Sequence, residues 1–151
     1  MPLSEERRSL GKRDGRPGFE VTALGLGCGT IAGVPSDADA LSAVTTAVDI
    51  GFGFFDTAPW YGRTRSERRL GVALSNYPRD QYFLQTKVGR FTKPGIPNDQ
   101  TSTGEPIVPY QGRAEENHGE AFGMVHDYSY DAIIRQHQDS LQRLGVDHVD
   151  S

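Results

Sequence analysis

The sequence predicts an α/β protein in which parallel strands alternate with helices. Short apolar runs centred near Leu24, Phe54 and Phe83 lie roughly 30 residues apart, and an amphipathic stretch separates each run from the next. Parallel strands need such long connections, whereas antiparallel strands can be joined by short turns. The repeat therefore predicts successive β/α units of one parallel sheet.

Polar groups at the strand ends favour a barrel over an open sheet. The three runs end at Gly27, Asp56 and Lys87, and the strands of a (β/α)8 TIM barrel carry their functional groups at these carboxyl ends. The first run lacks the G-x-G-x-x-G sequence that opens the helix of a Rossmann unit. We therefore expect the N-terminal half of a TIM barrel, because a whole barrel needs about 250 residues.

A β-hairpin is expected before the barrel strands. Two short stretches lie on either side of Asp14 and Gly15, a pair suited to a tight turn with positive φ. We assign residues 1–22 to an N-terminal segment that contains this hairpin. Residues 23–151 are assigned to one partial domain that contains the β/α units.

Capping residues mark the first two helices. Ser36 precedes apolar residues at helical spacing, and Gly51 stands where that helix would stop. The second helix is predicted from Ser66 to Leu74. Ser66 is interpreted as its cap and Glu67 as a carboxylate that complements the helix N-terminus.

A long loop is predicted over residues 88–129, because this stretch is polar and rich in Gly and Pro. It leaves the strand end at Lys87, so we expect it to shape a substrate opening. A third helix follows, capped by Asp127 or Ser129 and stopped by Gly145. Its apolar face would consist of residues at helical spacing: Ile133, Ile134, His137, Leu141 and Leu144.

A fourth strand is expected from Val146 to Ser151. Its distance from the third strand equals one repeat of about 30 residues plus the long loop. A parallel sheet that stops there would leave an unpaired edge and an exposed apolar helix face. We therefore expect either a longer product or a partner chain at that edge.

Composition argues against several classes of protein. The net charge of -4 and the absence of a basic stripe disfavour a nucleic-acid partner. No secretory leader and no membrane-spanning apolar run are evident, so we expect a cytoplasmic protein without a membrane partner. The single Cys28 is expected to be a small buried residue. The four histidines lack regular ligand spacing, so no metal is expected.

Several motifs together resemble the aldo-keto reductase family. The matching pieces are LGLGCGT at Leu24 to Thr30, GFGFFDTAPWYG at Gly51 to Gly62, SERRLGVAL at Ser66 to Leu74, FLQTKVGR at Phe83 to Arg90, and DSLQRLGVDHVDS at Asp139 to Ser151. The family pattern YGxGxSE is altered here, because Thr64 replaces a glycine. The segments after Lys87 resemble the branch that includes D-threo-aldose, L-fucose or galactose, and pyridoxal dehydrogenases.

The resemblance implies hydride transfer between NADP or NAD and a carbonyl or alcohol, without a metal. It implies that Tyr61 is the proton donor or acceptor, that Lys87 is the cation beside it, and that Asp56 holds Lys87. A neighbouring ammonium favours the phenolate form of a tyrosine, which suits this chemistry. The substrates would be small carbonyl compounds or aldose sugars, converted to or from alcohols or lactones.

The resemblance also implies the surroundings of these three residues. Gly29 and Thr30, together with Asp56, match positions that lie against the cofactor, and Trp60 would be a wall of the substrate pocket. The family's catalytic histidine would follow the fourth strand, beyond Ser151. His148 lies before the end of that strand, so the role is not assigned to it.

A second interpretation belongs to a different class. The chain could be a non-catalytic binding protein, since some members of the family are auxiliary subunits of potassium channels. In that case the exposed half-barrel edge would pair with another chain or form a homo-oligomer. Residues of the family's second half would discriminate the two interpretations, because they complete the cofactor site.

Overall fold

An antiparallel hairpin precedes the main sheet. Strand β1 (Arg7–Leu10) pairs with β2 (Phe19–Thr22), while the predicted turn at Asp14 and Gly15 lies outside the described residues. The Phe19 ring packs edge-on against Phe83 at a centroid distance of 5.1 Å, which attaches the hairpin to the main sheet. The structure, a computed structural model, describes residues 6–11, 18–94, 100–101 and 122–151.

Three parallel strands form the main sheet, in the order β3 (Leu26–Gly27), β4 (Phe54–Asp56) and β5 (Phe83–Gln85). Gly27 lies opposite Asp56, and Asp56 lies opposite Gln85. The predicted parallel pairing is therefore confirmed. The register aligns the carboxyl ends of all three strands at one edge of the sheet.

Helix α1 (Asp37–Asp49) and helix α2 (Arg65–Leu74) connect these strands. The predicted cap of α1 is confirmed, because the Ser36 hydroxyl accepts a hydrogen bond from the Asp39 amide at 3.1 Å. Gly51 follows α1 with φ of +94°, a conformation that glycine adopts without strain.

The start of α2 differs from the expectation. The helix begins without a side-chain cap after Thr64, whose φ of +77° is left-handed. Ser66 is fully buried inside the first turn, where its hydroxyl donates to the Cys28 carbonyl at 2.7 Å and bonds the Thr57 hydroxyl at 2.8 Å. The capping interpretation of Ser66 was wrong, because the hydroxyl joins two strand ends instead of the helix amides.

The stretch predicted as a loop over residues 88–129 contains a second sheet. Strands β6 (Arg90–Pro94), β7 (Gln100–Thr101) and β8 (Phe122–His126) form it in the order β6-β8-β7. Pairing of β6 with β8 joins residues far apart in sequence. The backbone amides and carbonyls of the two strands bond one another, and a pattern of apolar residues does not reveal this pairing.

Helix α3 (Tyr130–Leu144) begins at the predicted cap Ser129 and ends at Gly145. Its buried face differs from the predicted one, and Ile134 is exposed. The buried positions follow a four-residue spacing: Ala132, Gln136, Ser140 and Leu144. Two of them are polar because they make internal hydrogen bonds, described below.

The expected fourth strand is irregular. Residues 146–151 have no regular strand structure, although the Asp150 amide donates to the Leu84 carbonyl at 2.9 Å and the Thr86 amide donates to the Ser151 carbonyl at 3.1 Å. The Asp150 carboxylate accepts the Leu84 amide at 2.8 Å. A side chain therefore takes a hydrogen bond that a regular ladder would give to backbone.

The hydrophobic core lies between the parallel sheet and the helices. It contains Phe55 and Leu84 from the strands, and Val44, Leu70 and Leu144 from the three helices. All five are at most 2% exposed. Among the described residues, no helix is long and apolar enough to cross a membrane.

Candidate active site

Lys87 and Asp56 form an ion pair at the carboxyl edge of the parallel sheet. The Lys87 Nζ donates to Asp56 Oδ1 at 2.7 Å and to Oδ2 at 2.9 Å, and also to the Thr57 carbonyl at 2.9 Å. The predicted proximity of these two side chains is thus present. Each residue ends or follows a strand, so the sheet register brings them together.

Gln85 is a third member of this arrangement that the sequence did not indicate. Its Nε2 donates to Asp56 Oδ1 at 2.8 Å. Gln85 lies opposite Asp56 in the sheet and two positions before Lys87. Since alternate strand residues share a face, it projects from the same side as Lys87, and this spacing is the signal that could have found it.

Tyr61 lies beside Lys87, on the loop that follows β4. The Lys87 Nζ is 4.8 Å from the centroid of the Tyr61 ring. The loop is tied back on itself, because the Tyr61 amide donates to the Ala58 carbonyl and the Ser66 amide donates to the Tyr61 carbonyl. Lys87 and Asp56, the predicted partners of Tyr61, therefore lie in one cluster with it.

The surroundings of Lys87 favour its charged form. Burial is the largest single influence and lowers its pKa, but hydrogen bonds to Asp56 and Tyr61 and the charges of these groups together outweigh it. The pKa of Lys87 is consequently raised above its ordinary value of 10.5. The ammonium is retained throughout the neutral range.

Gly29 and Thr30 are exposed and follow β3 at the same edge. A Cβ on Gly29 would lie 3.8 Å from the Tyr61 ring, so the backbone passes close to that ring. Arg69 fixes the segment that follows, because its buried guanidinium donates to the carbonyls of Ile31 and Val34. The backbone of Gly29 therefore borders the Tyr61 ring, with no side chain of its own between them.

Trp60 is half-buried next to Tyr61. The guanidinium carbon of Arg90 lies 3.0 Å from the centroid of the Trp60 ring, and that of Arg63 lies 6.0 Å away. Arg90 follows Lys87 by three positions and begins β6. The second sheet is therefore in contact with the loop that carries Tyr61.

A second ion pair lies behind this cluster. Glu67 is completely buried, and its carboxylate accepts from Arg143 Nε at 2.5 Å and from the Thr86 hydroxyl at 2.7 Å. Arg143 also donates to the Ser140 hydroxyl at 2.9 Å. Glu67 lies in the first turn of α2, as predicted, and its carboxylate also pairs with a cation on α3, a partner that the sequence did not indicate.

Cys28 is fully buried below the ion pair of Asp56 and Lys87. Burial, followed by the charge of Asp56, raises the pKa of its thiol to about 12, and Lys87 opposes this rise. A thiol with such a pKa is protonated at neutral pH and is a poor nucleophile. Cys28 therefore packs below the site without chemistry of its own.

His148, to which no catalytic role was assigned, is not part of this cluster. His148 is exposed and bonds its neighbour Asp147 through Nδ1 at 2.6 Å. No group of three potential metal ligands occurs in the part of the chain that the structure describes.

Comparison with known proteins places these residues in context. The model of the Aldo/keto reductase family matches residues 23–151. The chain is 37% identical over 152 residues to pyridoxal 4-dehydrogenase of Microbacterium luteolum, covering 97% of this chain and 42% of that protein. Identity is 32% to D-threo-aldose 1-dehydrogenase of a Pseudomonas species, covering 88% and 39% of the two chains. It is 31% to L-galactose dehydrogenase of Arabidopsis thaliana, covering 90% and 34%.

Solved structures give the same result. The aldo-keto reductase AKR11C1 from Bacillus halodurans, in its holo form, superposes with a TM-score of 0.66 at 26% identity, covering 96% of this chain and 38% of that one. A putative aldo-keto reductase from Pseudomonas aeruginosa gives 0.64 at 28% identity, covering 97% and 44%. The chain thus spans less than half the length of the proteins it resembles.

Proposed function

The chain belongs to the aldo/keto reductase family, and from this premise we propose that Tyr61, Lys87 and Asp56 are the proton-transfer group of an NAD(P)-dependent oxidoreductase. Its three β/α units are accordingly part of a (β/α)8 barrel. The proposal concerns the whole protein, since this chain spans 42% of the length of the pyridoxal dehydrogenase. The reaction would interconvert carbonyl compounds and alcohols.

The contact between Lys87 and its two neighbours is the observation that carries this proposal. The Lys87 ammonium is paired with the Asp56 carboxylate and lies 4.8 Å from the centroid of the Tyr61 ring, and its pKa is raised. A permanently charged ammonium beside a phenol stabilises the phenolate. Asp56 and Gln85 fix the position of that charge, so the phenol experiences it in a constant geometry.

In the direction of reduction, Tyr61 Oη gives its proton to the carbonyl oxygen as that oxygen gains charge. In the direction of oxidation, the phenolate removes the proton of the substrate hydroxyl. Lys87 does not lose its proton in either direction. Its charge lowers the free energy of the phenolate state, which is the contribution expected of a general acid or base with a fixed counter-charge.

The nicotinamide cofactor, when bound, supplies or accepts the hydride. We propose that Gly29, Thr30 and Asp56 border its ring, because Gly29 and Thr30 are exposed and the Gly29 backbone passes close to the Tyr61 ring. The choice between NADP and NAD is left open by this half of the site.

We also propose the substrate class. The three relatives named above are dehydrogenases of pyridoxal, D-threo-aldose and L-galactose. The corresponding substrates here would be small polar aldehydes, ketones or aldose sugars, with alcohols or lactones as products. Trp60 would be one wall of their pocket.

Tyr61→Phe in the full-length protein tests the proposal. We expect turnover of pyridoxal and of aldose sugars to fall by roughly 10²- to 10⁴-fold, because the proton donor is removed. Cofactor affinity, measured by fluorescence titration, should change little. Tyr130→Phe is the matched control, since Tyr130 is 79% exposed on α3 and should leave turnover unchanged. Full turnover in Tyr61→Phe would remove Tyr61 from the mechanism.

A further inference from the structure

The backbone just before Arg90 is held rigidly by α3. The buried Gln136 accepts the Gly89 amide through Oε1 at 2.6 Å, and its Nε2 donates to the Asp127 carbonyl at 2.9 Å. The Asp127 amide donates in turn to the Gly89 carbonyl at 3.1 Å. Tyr128 covers Gly89 so closely that no side chain fits there. Arg90 therefore extends from a fixed point.

The side chain of Arg90 reaches across to the loop after β4. Its guanidinium lies on the face of the Trp60 ring, 3.0 Å from the centroid, and both residues are half-buried. Planar groups in face contact lose that contact when either one turns. The contact therefore restricts rotation of the indole, which is the neighbour of Tyr61 in the chain.

We propose that Arg90 is a positioning residue that sets substrate specificity by holding Trp60 as a fixed wall of the opening beside Tyr61. The inference rests on the function proposed above. A fixed wall admits substrates of limited width, whereas an indole free to rotate admits bulkier ones. Arg90 itself touches no reacting atom and acts through Trp60.

Substitutions of Arg90 separate stacking from charge. Arg90→Ala removes both properties, and Arg90→Lys retains the charge without the planar group. If stacking is what matters, the two variants behave alike. Arg8→Ala is the matched control, because Arg8 is exposed on β1 and its guanidinium pairs with Glu6.

Fluorescence gives a readout that does not require turnover. Trp60 is the one tryptophan of the 151-residue sequence, and in a longer protein its emission is obtained as the difference from Trp60→Phe. We expect acrylamide quenching of Trp60 to rise about twofold in Arg90→Ala and Arg90→Lys, because one of the two ring faces is uncovered. Arg8→Ala should match the unmodified protein.

Kinetics of the full-length protein provide the second readout. With a short aldehyde and a bulkier sugar aldehyde as competing substrates, both Arg90 variants should shift the ratio of kcat/KM by about tenfold towards the bulkier one. The shift should lie mainly in KM, with kcat for the short aldehyde retained. In a Trp60→Phe background, Arg90→Ala should add little, because the group through which it acts has changed.

Each outcome decides the inference. Unchanged quenching of Trp60 in both variants would overturn it. So would an Arg90→Lys variant that keeps the original substrate selectivity. An equal effect of Arg90→Ala with and without Trp60 would also overturn it. A full-length protein that turns over no carbonyl compound overturns the proposed function and with it the substrate role of Arg90. The quenching comparison alone then decides whether Arg90 holds Trp60, so the two failures are distinguishable.

Discussion

Two ion pairs, each between a carboxylate and a cation, lie near the strand end at Thr86 and differ in exposure. The pair of Asp56 and Lys87 is open, with side chains 28% and 44% exposed. The pair of Glu67 and Arg143 is closed, at 0% and 13%. The open pair can meet a ligand and can serve chemistry. The closed pair joins α2 to α3, and its carboxylate cannot be reached from solvent.

Exposure also decides what each pair contributes to stability. An ion pair in contact with water contributes about 0–1 kcal/mol, because water solvates the separated charges nearly as well. Removing one member of a buried pair costs about 3–5 kcal/mol, since the remaining charge has neither water nor partner. The two pairs should therefore respond oppositely to substitution, one in activity and the other in stability.

The largest expected effect is on activity at the open pair. Lys87→Met in the full-length protein should lower turnover by roughly 10²- to 10⁴-fold, because the phenolate of Tyr61 loses its counter-charge. The free energy of unfolding, measured with urea, should change by about 1 kcal/mol or less. A large loss of stability with retained turnover would reverse the assignment of the two pairs.

The closed pair should show the largest effect on stability. Arg143→Met leaves the Glu67 carboxylate buried without its cation, and we expect the free energy of unfolding to fall by about 3–5 kcal/mol. The double variant Glu67→Leu with Arg143→Met should recover much of this loss, because no buried charge remains. Equal losses in the single and double variants would show that packing, not charge, is responsible.

Substitution of Thr64, which precedes α2, should have a smaller effect on the free energy of unfolding, and of the opposite sign. Thr64 has φ of +77°, a conformation that costs a residue with a Cβ roughly 1–2 kcal/mol. Thr64→Gly should therefore raise the free energy of unfolding by up to about 1 kcal/mol, after allowing for the greater entropy of glycine in the unfolded chain. A shift in the urea midpoint measures this. A lower midpoint would mean that the Thr64 side chain makes contacts that outweigh the strain.

The smallest expected effect is on the reactivity of Cys28, whose pKa responds to the charges of Asp56 and Lys87. Its raised pKa, from 9.0 to about 12, favours the thiol in the folded state. The resulting stability is present below pH 9.0 and is lost as the pH rises towards about 12. Alkylation by iodoacetamide at pH 8 should be much slower in the folded than in the urea-unfolded protein. Asp56→Asn should accelerate it slightly, and equal rates in folded and unfolded protein would contradict the burial argument.

The contrast between the pairs also explains what the sequence could reveal. Asp56 and Lys87 end apolar runs in a regular repeat, so their common position follows from the alignment of parallel strands. The role of Tyr61 came from the resemblance to a family, not from spacing. Its catalytic role stays a prediction, although its place beside Lys87 is now described.

The partner of Glu67 was not predicted, because a carboxylate near a helix N-terminus already has an ordinary explanation as a charge that complements the helix end. The position of Glu67 relative to Leu70 and Leu74, three and seven residues later, is the signal that was missed. These residues share one helical face, so a charge there is buried and must be paired. The cation on α3 lies 76 residues away, and no local pattern identifies such a partner.

The second sheet escaped prediction for a related reason. Strand β6 has no alternation of apolar and polar residues, and it pairs with β8 across a long intervening segment. Gln136, which anchors the start of that sheet, is a polar residue on a helix face that would be read as solvated. Long-range polar contacts of this kind are decided by three-dimensional packing, which periodicity does not encode.

The most direct test of the account compares Tyr61→Phe, Lys87→Met and their double variant in the full-length protein. If Lys87 acts through the phenol of Tyr61, the double variant should be no slower than the slower single variant, because residues that act as one unit are not additive. Turnover with NADPH and NADH is the measurement. Losses that multiply in the double variant would contradict the central claim that the two residues form one proton-transfer group.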